Sequence, residues 1–330
     1  MAARLAAALQ DLLQQTDASG ITAAVGGPGL GLWWQTRGLA HKQPAVAADD
    51  HSLFSWDSVG KAYTAALVLG AVQQQRLRLD DPISRWWPQF PQAQHVTLAH
   101  LLTHTSGIHA TEFSTPPTPQ YRAPDELIAQ ARDAGSLFCP GGYWRYSNSG
   151  YVMLGRALEL SEGTSYGQLL EQRLFAPLGL QHSAFVGPGT PPPGLVTPHP
   201  GGLPDDNPGR ATPFAAGAVA ARADDVLRFW HALLTGRLLP QATVQASYER
   251  LMPMFDNPES SYGRGVMLNE WTDSQGRQRR WLGHLGGGTG SNAVVAYDPR
   301  LQLYVAVAIN SKVSAPAAAR RLLETVEHWR

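Results

Sequence analysis

The chain has a single cysteine and no excess of charge of either sign. Cys139 alone cannot form an internal disulfide or a metal site built from several cysteines. Lysine and arginine together number 26, and so do aspartate and glutamate. No net electrostatic field therefore favours nucleic acid or anionic lipid as a partner. These absences indicate a small molecule or a short peptide as the binding partner, and no nucleic acid.

Long apolar runs are also missing. No stretch approaches the roughly 18 to 20 residues that cross a bilayer, so we expect no membrane span. Met1 to Gln15 instead places Leu5, Leu9 and Leu12 on one stripe of a predicted helix. A secretory signal needs an unbroken apolar core, which favours a cytoplasmic protein, or a periplasmic or secreted one if a leader has been removed. Nothing in the sequence indicates a cofactor or a metal, and the oligomeric state stays open.

Lysine is scarce, and one lysine stands in a distinctive place. The 26 basic residues comprise 23 arginines and three lysines, and Lys61 follows Ser58 by three positions. Guanidinium keeps its proton in a protein, whereas a buried amine can be neutral near pH 7 and act as a base. If Ser58 opens a helix, the two side chains lie on one face about one turn apart. The pair is therefore a candidate nucleophile and base.

The middle of the chain is predicted to be helical, and both ends carry predicted strands. Apolar stripes predict helices at 58–75, 97–103, 123–134, 149–160, 165–174 and 223–234. Apolar runs predict strands at 21–25, 30–35, 262–269, 279–282, 292–298 and 302–310, before a closing helix near Ser314. The pattern favours an α+β fold, in which an antiparallel sheet is flanked by helices from both termini.

This order of elements predicts two lobes. Residues 1–57 and 210–330 would form a discontinuous α/β lobe, and residues 58–209 would form an inserted, mainly helical lobe. We expect the active site in the cleft between them. The stretch 187–209, rich in proline and glycine, is long enough for a lid or a pocket wall.

Two later segments supply groups that suit a serine nucleophile. Tyr146 and Asn148 stand on a predicted turn before a helix, where the phenol could relay a proton and the carboxamide could fix the lysine or a substrate amide. The segment His284 to Gly288 precedes a strand, and its glycines allow a substrate to approach the backbone closely. The N–H groups of Gly287 and Ser58 would then form an oxyanion hole.

The three segments resemble, in order, the motifs of the serine β-lactamase and penicillin-binding-protein superfamily, in the branch of class C β-lactamases, DD-peptidases and related esterases. The motifs are Ser58-Val59-Gly60-Lys61, Tyr146-Ser147-Asn148 and His284-Leu285-Gly286. Further similar segments are Asp80-Asp81-Pro82, Leu101 to Gly107, Pro177 to Leu180 and Ala216 to Phe229, so that the resemblance spans nearly the whole chain.

The resemblance implies a β-lactamase/transpeptidase-like fold and a covalent acyl-serine at Ser58, without metal or cofactor. Lys61 and Tyr146 would act as base and acid. The residues that would bind the substrate or its oxyanion are Asn148, His284, Gly286 and Gly287.

Two departures from the family pattern bear on the chemistry. His284 stands where typical β-lactamases have a lysine that attracts the carboxylate of a β-lactam, although imidazole can donate a hydrogen bond or carry charge below about pH 6.5. Asp57 stands directly before the nucleophile, where a small residue is usual; it would suit an N-cap, and its carboxylate would hold the amine of Lys61 protonated. Four tryptophans near the motifs suggest an aromatic pocket, namely Trp56, Trp144, Trp271 and Trp281.

Several functions stay open. The favoured one is a serine hydrolase that hydrolyses small carboxylic esters or amides, or transfers their acyl group. The alternatives are a DD-peptidase or β-lactamase acting on D-Ala-D-Ala peptides or penicillins, and a non-catalytic penicillin-binding-like sensor.

Residues 56–60 also come within one residue of the Gly-x-Ser-x-Gly elbow of α/β-hydrolases, but the long helical middle opposes that fold. His100 and His104 have metal-site spacing, yet no glutamate follows the first of them, and a structural turn is the better interpretation.

Overall fold

The computed structural model describes residues 1–110, 121–199, 214–254 and 257–329. Its strands are β1 Gly20–Gly27, β2 Gly31–Lys42, β3 Ala45–Ala47, β4 Phe54–Ser55, β5 Ser183–Phe185, β6 Val219–Ala221, β7 Met252–Met254, β8 Asn257–Tyr262, β9 Met267–Thr272, β10 Gln278–Gly288, β11 Ser291–Asp298 and β12 Leu303–Ile309. Within these residues, nine strands form an antiparallel sheet in the order β3-β2-β1-β12-β11-β10-β9-β8-β7. A second, small sheet has the order β4-β6-β5.

The helices cover both faces of the large sheet. They are α1 Ala2–Gln15, α2 Gly60–Gln73, α3 Leu98–Leu102, α4 Pro124–Asp133, α5 Asn148–Glu162, α6 Tyr166–Leu170, α7 Ala176–Leu178, α8 Ala223–Leu234, α9 Gln241–Glu249 and α10 Ala315–Glu327. Alternate residues of β12 face the two sides: Val305 packs with α1 and α10, whereas Ala306 packs with α8 and the helices of the middle. Both faces of the central strands are therefore buried.

The predicted α+β fold is confirmed, and the element boundaries differ in places. β2 and β10 run several residues beyond their predicted ends, because pairing with neighbouring strands continues past the apolar core. The short elements β3, β4, β5, β6, β7, α7 and α9 had no predicted counterpart, and β8 overlaps the predicted strand 262–269 only at Tyr262. The predicted boundary at 209 and 210 and the second part of the stretch 187–209 lie outside the described residues, so the division into lobes stays a prediction. No helix in the described ranges has the length and apolar character that a membrane crossing requires.

The segment that leads into α2 is anchored to the small sheet. β4 pairs with β6, and the next residue, Trp56, donates its backbone N–H to Val219 O at 3.0 Å and its indole N–H to Ala221 O at 3.0 Å. A 3-10 turn, Asp57–Val59, then precedes α2. Nearly all of α2 is buried, including Lys61. The start of α2 is consequently fixed by the hydrogen bonds of Trp56 before it and by the burial of the helix after it.

Gly60, the first residue of α2, allows a close approach of two backbones. A Cβ atom built there would lie 2.9 Å from Gly217 Cα. We expect Gly60→Ala to lower the free energy of unfolding by about 1–3 kcal/mol, because the backbone has to move apart. The matched control is Gly70→Ala in the same helix, whose Cβ would meet only Leu239 Cδ2 at 3.9 Å.

Gly70→Ala should raise the free energy of unfolding by about 0.5–1 kcal/mol, as alanine does within a helix. Urea unfolding of both variants measures the two effects. Equal effects at the two positions would contradict the close approach at Gly60.

Candidate active site

Ser58 and Lys61 meet at the start of α2. Lys61 Nζ donates hydrogen bonds to Ser58 Oγ at 3.0 Å and to Ala216 O at 2.7 Å. The lysine side chain is fully buried, while Ser58 is partly exposed. The close approach of Gly60 to Gly217 brings the carbonyl of Ala216 within reach of the amine. The predicted helical geometry of the pair is found, except that Ser58 lies in the 3-10 turn and not within the α-helix itself.

Tyr146 lies over the amine of Lys61. The ring centroid of Tyr146 is 4.7 Å from Lys61 Nζ, and the ring of Tyr151 is 5.6 Å away. Both aromatic faces therefore contact the amine and exclude water from this side. The three residues predicted as nucleophile, base and acid thus come together.

His104 holds the turn that carries Tyr146. Its Nδ1 accepts the N–H of Ser147 at 3.1 Å, and its carbonyl accepts the N–H of Arg145 at 2.9 Å. The imidazole also packs on the ring of Tyr146, with centroids 4.2 Å apart. Burial, followed by the charges of Lys61 and His284, holds the pKa of His104 well below its usual value. The ring is therefore neutral, as an acceptor at Nδ1 must be.

Asn148 is the first residue of α5 and is partly exposed. The N-cap of this helix is Ser147, whose Oγ accepts the N–H of Gly150 at 3.2 Å. Ser147 caps the helix, so N-capping does not explain the asparagine at position 148. Asn148 thus begins α5 two residues after Tyr146, and its role toward a substrate stays a prediction.

His284 is a buried residue of β10. Its ring is fully buried, Nδ1 donates to Leu285 O at 2.7 Å, and Nε2 lies 2.9 Å from the hydroxyl of Tyr262. The phenol of Tyr262 is in turn 3.3 Å from that of Tyr151, which donates to Leu102 O at 2.8 Å. Burial, and then the charge of Lys61, lowers the pKa of His284 to about 3.

Of the two possibilities for this imidazole, hydrogen bonding is found and a charge below about pH 6.5 is opposed. Removal of the imidazole from water penalises the cation, and the nearby amine adds repulsion. The sequence did not predict that Tyr151 and Tyr262 would contact each other next to His284. The one indication was that Tyr151 follows Tyr146 into a predicted helix.

Gly286 and Gly287 lie beside the nucleophile turn. A Cβ atom at Gly286 would meet Trp56 O at a distance no real side chain tolerates, so β10 packs directly on the backbone two residues before Ser58. Gly287 is exposed, and its nearest neighbour would be 3.9 Å away. Gly286 thus lies against the backbone of Trp56 and Gly287 is open to solvent, while the oxyanion hole stays a prediction.

Asp57 links the nucleophile turn to the hairpin of β10 and β11. Its carboxylate accepts a hydrogen bond from Ser291 Oγ at 2.7 Å. Its backbone has a φ of +47°, a left-handed conformation that is uncommon for residues other than glycine. Burial raises the pKa of this carboxyl, whereas the Ser291 hydrogen bond and the charge of Lys61 oppose the rise. The N-cap interpretation of Asp57 is wrong, because Trp56 holds that position and no side chain caps the turn.

Three of the four tryptophans predicted to form an aromatic pocket pack elsewhere. Trp56 and Trp281 are buried in the core, and Trp271 packs against the cluster around α1 and α10. Trp144 alone of the four lies with the site, where its ring is 6.4 Å from that of Tyr146. Trp56, Trp271 and Trp281 therefore contribute to packing, as tryptophan commonly does.

His100 and His104, which have metal-site spacing, each use a ring nitrogen to accept a hydrogen bond from the backbone. His100 Nδ1 accepts the N–H of Thr97 in the capping box of α3, and His104 Nδ1 accepts that of Ser147. Across residues 1–110, 121–199, 214–254 and 257–329, no three potential metal ligands come together.

The chain is similar to a family of known proteins and to individual members with related names. The family model described as Beta-lactamase matches residues 5–327. A Bacillus subtilis (strain 168) protein named as a penicillin-binding protein, PbpX, is 30% identical over 243 residues, which cover 70% of this chain and 57% of that protein. The esterase EstB of Burkholderia gladioli is 30% identical over 204 residues, which cover 56% of this chain and 52% of the esterase. The chain thus spans a little over half the length of these two curated relatives.

A solved structure matches over almost its full length. The D-amino acid amidase from Ochrobactrum anthropi SV3, complexed with L-phenylalanine amide, has a TM-score of 0.87 and 25% sequence identity. The match covers 99% of this chain and 98% of the amidase chain.

The burial of neutral His284 predicts a pH dependence of stability. An unfolded histidine binds a proton below about pH 6.5, whereas folded His284 does so only near pH 3. The free energy of unfolding should therefore fall as the pH drops from 6.5 towards 3, by up to about 1.4 kcal/mol per pH unit from this residue. Glutamine offers a donor and an acceptor without titrating, so His284→Gln should lose less stability on acidification. Urea unfolding at several pH values tests this, and equal slopes in both proteins would contradict it.

The hydrogen bond between Asp57 and Ser291 predicts a loss of stability when its donor is removed. Ser291→Ala should lower the free energy of unfolding by about 1–3 kcal/mol, because the buried carboxyl loses its partner. Asp57→Asn keeps an oxygen acceptor and tolerates the left-handed backbone, so it should cost less than Asp57→Ala. A double-mutant cycle in urea measures the coupling of the two side chains. A coupling energy of zero would argue against the link.

Proposed function

The chain belongs to the Beta-lactamase family, and from this premise we propose that it is a serine hydrolase that forms an acyl-enzyme at Ser58 and hydrolyses small carboxylic esters or amides. The observation that carries the proposal is the 3.0 Å contact between Lys61 Nζ and Ser58 Oγ, made by a fully buried lysine. An amine beside a serine hydroxyl can accept its proton when the amine is neutral, and burial favours the neutral form.

Acylation would start with transfer of the Ser58 proton to Lys61 while Oγ attacks the substrate carbonyl carbon. The oxyanion that develops would accept hydrogen bonds from the N–H groups of Ser58 and Gly287. As the tetrahedral intermediate collapses, the bond to the leaving amine or alcohol breaks, and Tyr146 would pass the proton to that group. The phenol regains a proton from Lys61, so that the amine is neutral again.

Deacylation would repeat the steps with water as the nucleophile. Tyr146 and Lys61 would take the proton of the water that attacks the acyl carbon, and this proton returns to Ser58 Oγ as the ester bond breaks. The products are a carboxylic acid and the free enzyme. Asn148 would hold the substrate amide.

The substrate class follows from the charge of the site. His284 is buried and neutral, which removes the cation that would attract a β-lactam carboxylate at this position. We therefore propose substrates without a carboxylate at this position. The relatives named as an esterase and as a D-amino acid amidase support both ester and amide chemistry.

A second candidate is peptidase or β-lactamase activity on D-Ala-D-Ala peptides or penicillins. The similarity to a protein named as penicillin-binding favours it. Rapid, stoichiometric acylation of Ser58 by benzylpenicillin, seen by mass spectrometry, would support this candidate over the first. A folded protein that no serine-directed reagent labels would instead support a non-catalytic sensor.

The prediction that tests the proposal uses three variants. Ser58→Ala should abolish cleavage of a short-chain nitrophenyl ester and of D-phenylalanine amide, together with labelling by a fluorophosphonate. Lys61→Ala should lower kcat by about 10²- to 10⁴-fold, the usual contribution of a general base. The matched control is Lys42→Ala, an exposed lysine at the end of β2 near the edge of the sheet, which should keep full activity.

Turnover that survives Ser58→Ala would overturn the acyl-enzyme. A Lys61→Ala protein with near-normal kcat would overturn the role of the lysine and favour an elbow mechanism with another base.

A further inference from the structure

A cavity of about 610 Å³ opens at the end of the sheet opposite Ser58, and we propose that it binds a small carboxylate with an apolar or aromatic body. β11 connects the two regions. Its first residue, Ser291, contacts Asp57 beside the nucleophile, and Tyr297 near its other end lines the cavity. Six residues of extended strand separate these ends by roughly 20 Å, so the cavity is distinct from the site of Ser58.

The cavity has an apolar floor. Leucines from three elements line it: Leu32 from β2, Leu178 from α7 and Leu227 from α8. Leu32 is 40% exposed, an unusual position for a large aliphatic side chain in this protein. The hairpin between β1 and β2 forms a wall with little side chain, because Gly26, Gly27 and Gly31 line it. This surface suits the hydrocarbon part of a ligand.

Two phenols stand beside the floor as hydrogen-bond donors. Tyr297 and Tyr304 are direct partners on β11 and β12, and their ring centroids are 4.6 Å apart. Burial, and then the neighbouring phenol of Tyr297, raises the pKa of Tyr304 to about 12, so its hydroxyl keeps the proton at neutral pH. Within the described chain neither hydroxyl makes a hydrogen bond, and both line the cavity.

The charge of the lining is positive. Arg228 and Arg237 contribute to it, and none of the described lining residues carries a carboxylate. Arg228 is 3.5 Å from Asp224, but that carboxylate already accepts two hydrogen bonds from Arg222 at 2.6 and 3.0 Å. Arg237 is exposed and makes no ion pair in the described ranges. Both guanidinium groups therefore have capacity for an anion.

His231 adds a neutral donor or acceptor between the two arginines. Burial, and then the charge of Arg237, lowers the pKa of His231, so the ring is uncharged at neutral pH. Its ring contacts that of Tyr304 edge to face, with centroids 5.1 Å apart. The ligand charge is consequently balanced by the arginines alone.

The combination selects a class of ligand. A volume of about 610 Å³ lies in the range of small-molecule sites. Arginine pairs with carboxylate through two parallel hydrogen bonds, and phenol donors can complete the set. The leucines and the two tyrosine rings would contact an aliphatic or aromatic body. An arylalkanoate such as 3-phenylpropionate has these three features at the right size.

The test measures binding to the full Ser58→Ala chain by titration calorimetry. The probes are 3-phenylpropionate and its neutral amide, which have the same body and differ in charge. We expect the acid to bind at least about tenfold more tightly than the amide, because only the acid pairs with the arginines. Since no turnover is measured, failure of this inference is separate from failure of the proposed hydrolase activity.

Three further substitutions in that background locate the site. Arg237→Gln should weaken binding of the acid about tenfold, and Leu32→Asp, which adds a negative charge to the floor, should abolish it. The matched control is Arg280→Gln, an exposed arginine on β10 outside the cavity, which should bind like the parent. Circular dichroism and a melting curve establish that each variant is folded.

Three results would overturn the inference. The first is no measurable binding of the acid, and the second is equal binding of acid and amide. The third is binding that Arg237→Gln and Leu32→Asp leave unchanged, or that Arg280→Gln weakens as much, because the acid would then bind elsewhere.

Discussion

The structure of the site depends on one buried amine. Lys61 lies in a helix that is buried on almost every side, and its Nζ bridges Ser58 Oγ and the carbonyl of Ala216. A charged lysine is costly in such surroundings, and a neutral one suits the role of base. The close approach of Gly60 to Gly217, the anchoring of Trp56 to β6 and the rings over the amine all serve to maintain this geometry. The chemistry proposed for Ser58 requires each of them.

Neutral polar groups surround that amine. His104 holds the turn of Tyr146 through an acceptor nitrogen, and His284 connects through Tyr262 to Tyr151. Burial lowers the pKa of each imidazole, and the charged form of the Lys61 amine would lower it further. His284 is therefore buried, hydrogen-bonded and neutral, which supports the proposed preference for substrates without a carboxylate at this position.

The sequence was sufficient for the fold class and for the contact of Ser58 with Lys61, because both depend on local patterns. Apolar periodicity predicted most of the helices and the long strands of the sheet. It could not predict the tyrosines next to His284, since Tyr262 reaches His284 from a different strand. It also misjudged Asp57 and the tryptophans. A residue type indicates an N-cap or a pocket only through local propensity, whereas packing from distant segments decided the outcome at these positions.

The link between Asp57 and Ser291 has a consequence for biosynthesis. The two residues are 234 positions apart, and β1 likewise pairs with β12 near the other end of the chain. Contacts of such long range form late, because the loop between them must close first. A ribosome releases Ser58 and Lys61 long before it has made β10 and β11, so the partner of Asp57 is still missing. The nascent chain thus carries its serine beside an unpaired Asp57 until β11 has been made.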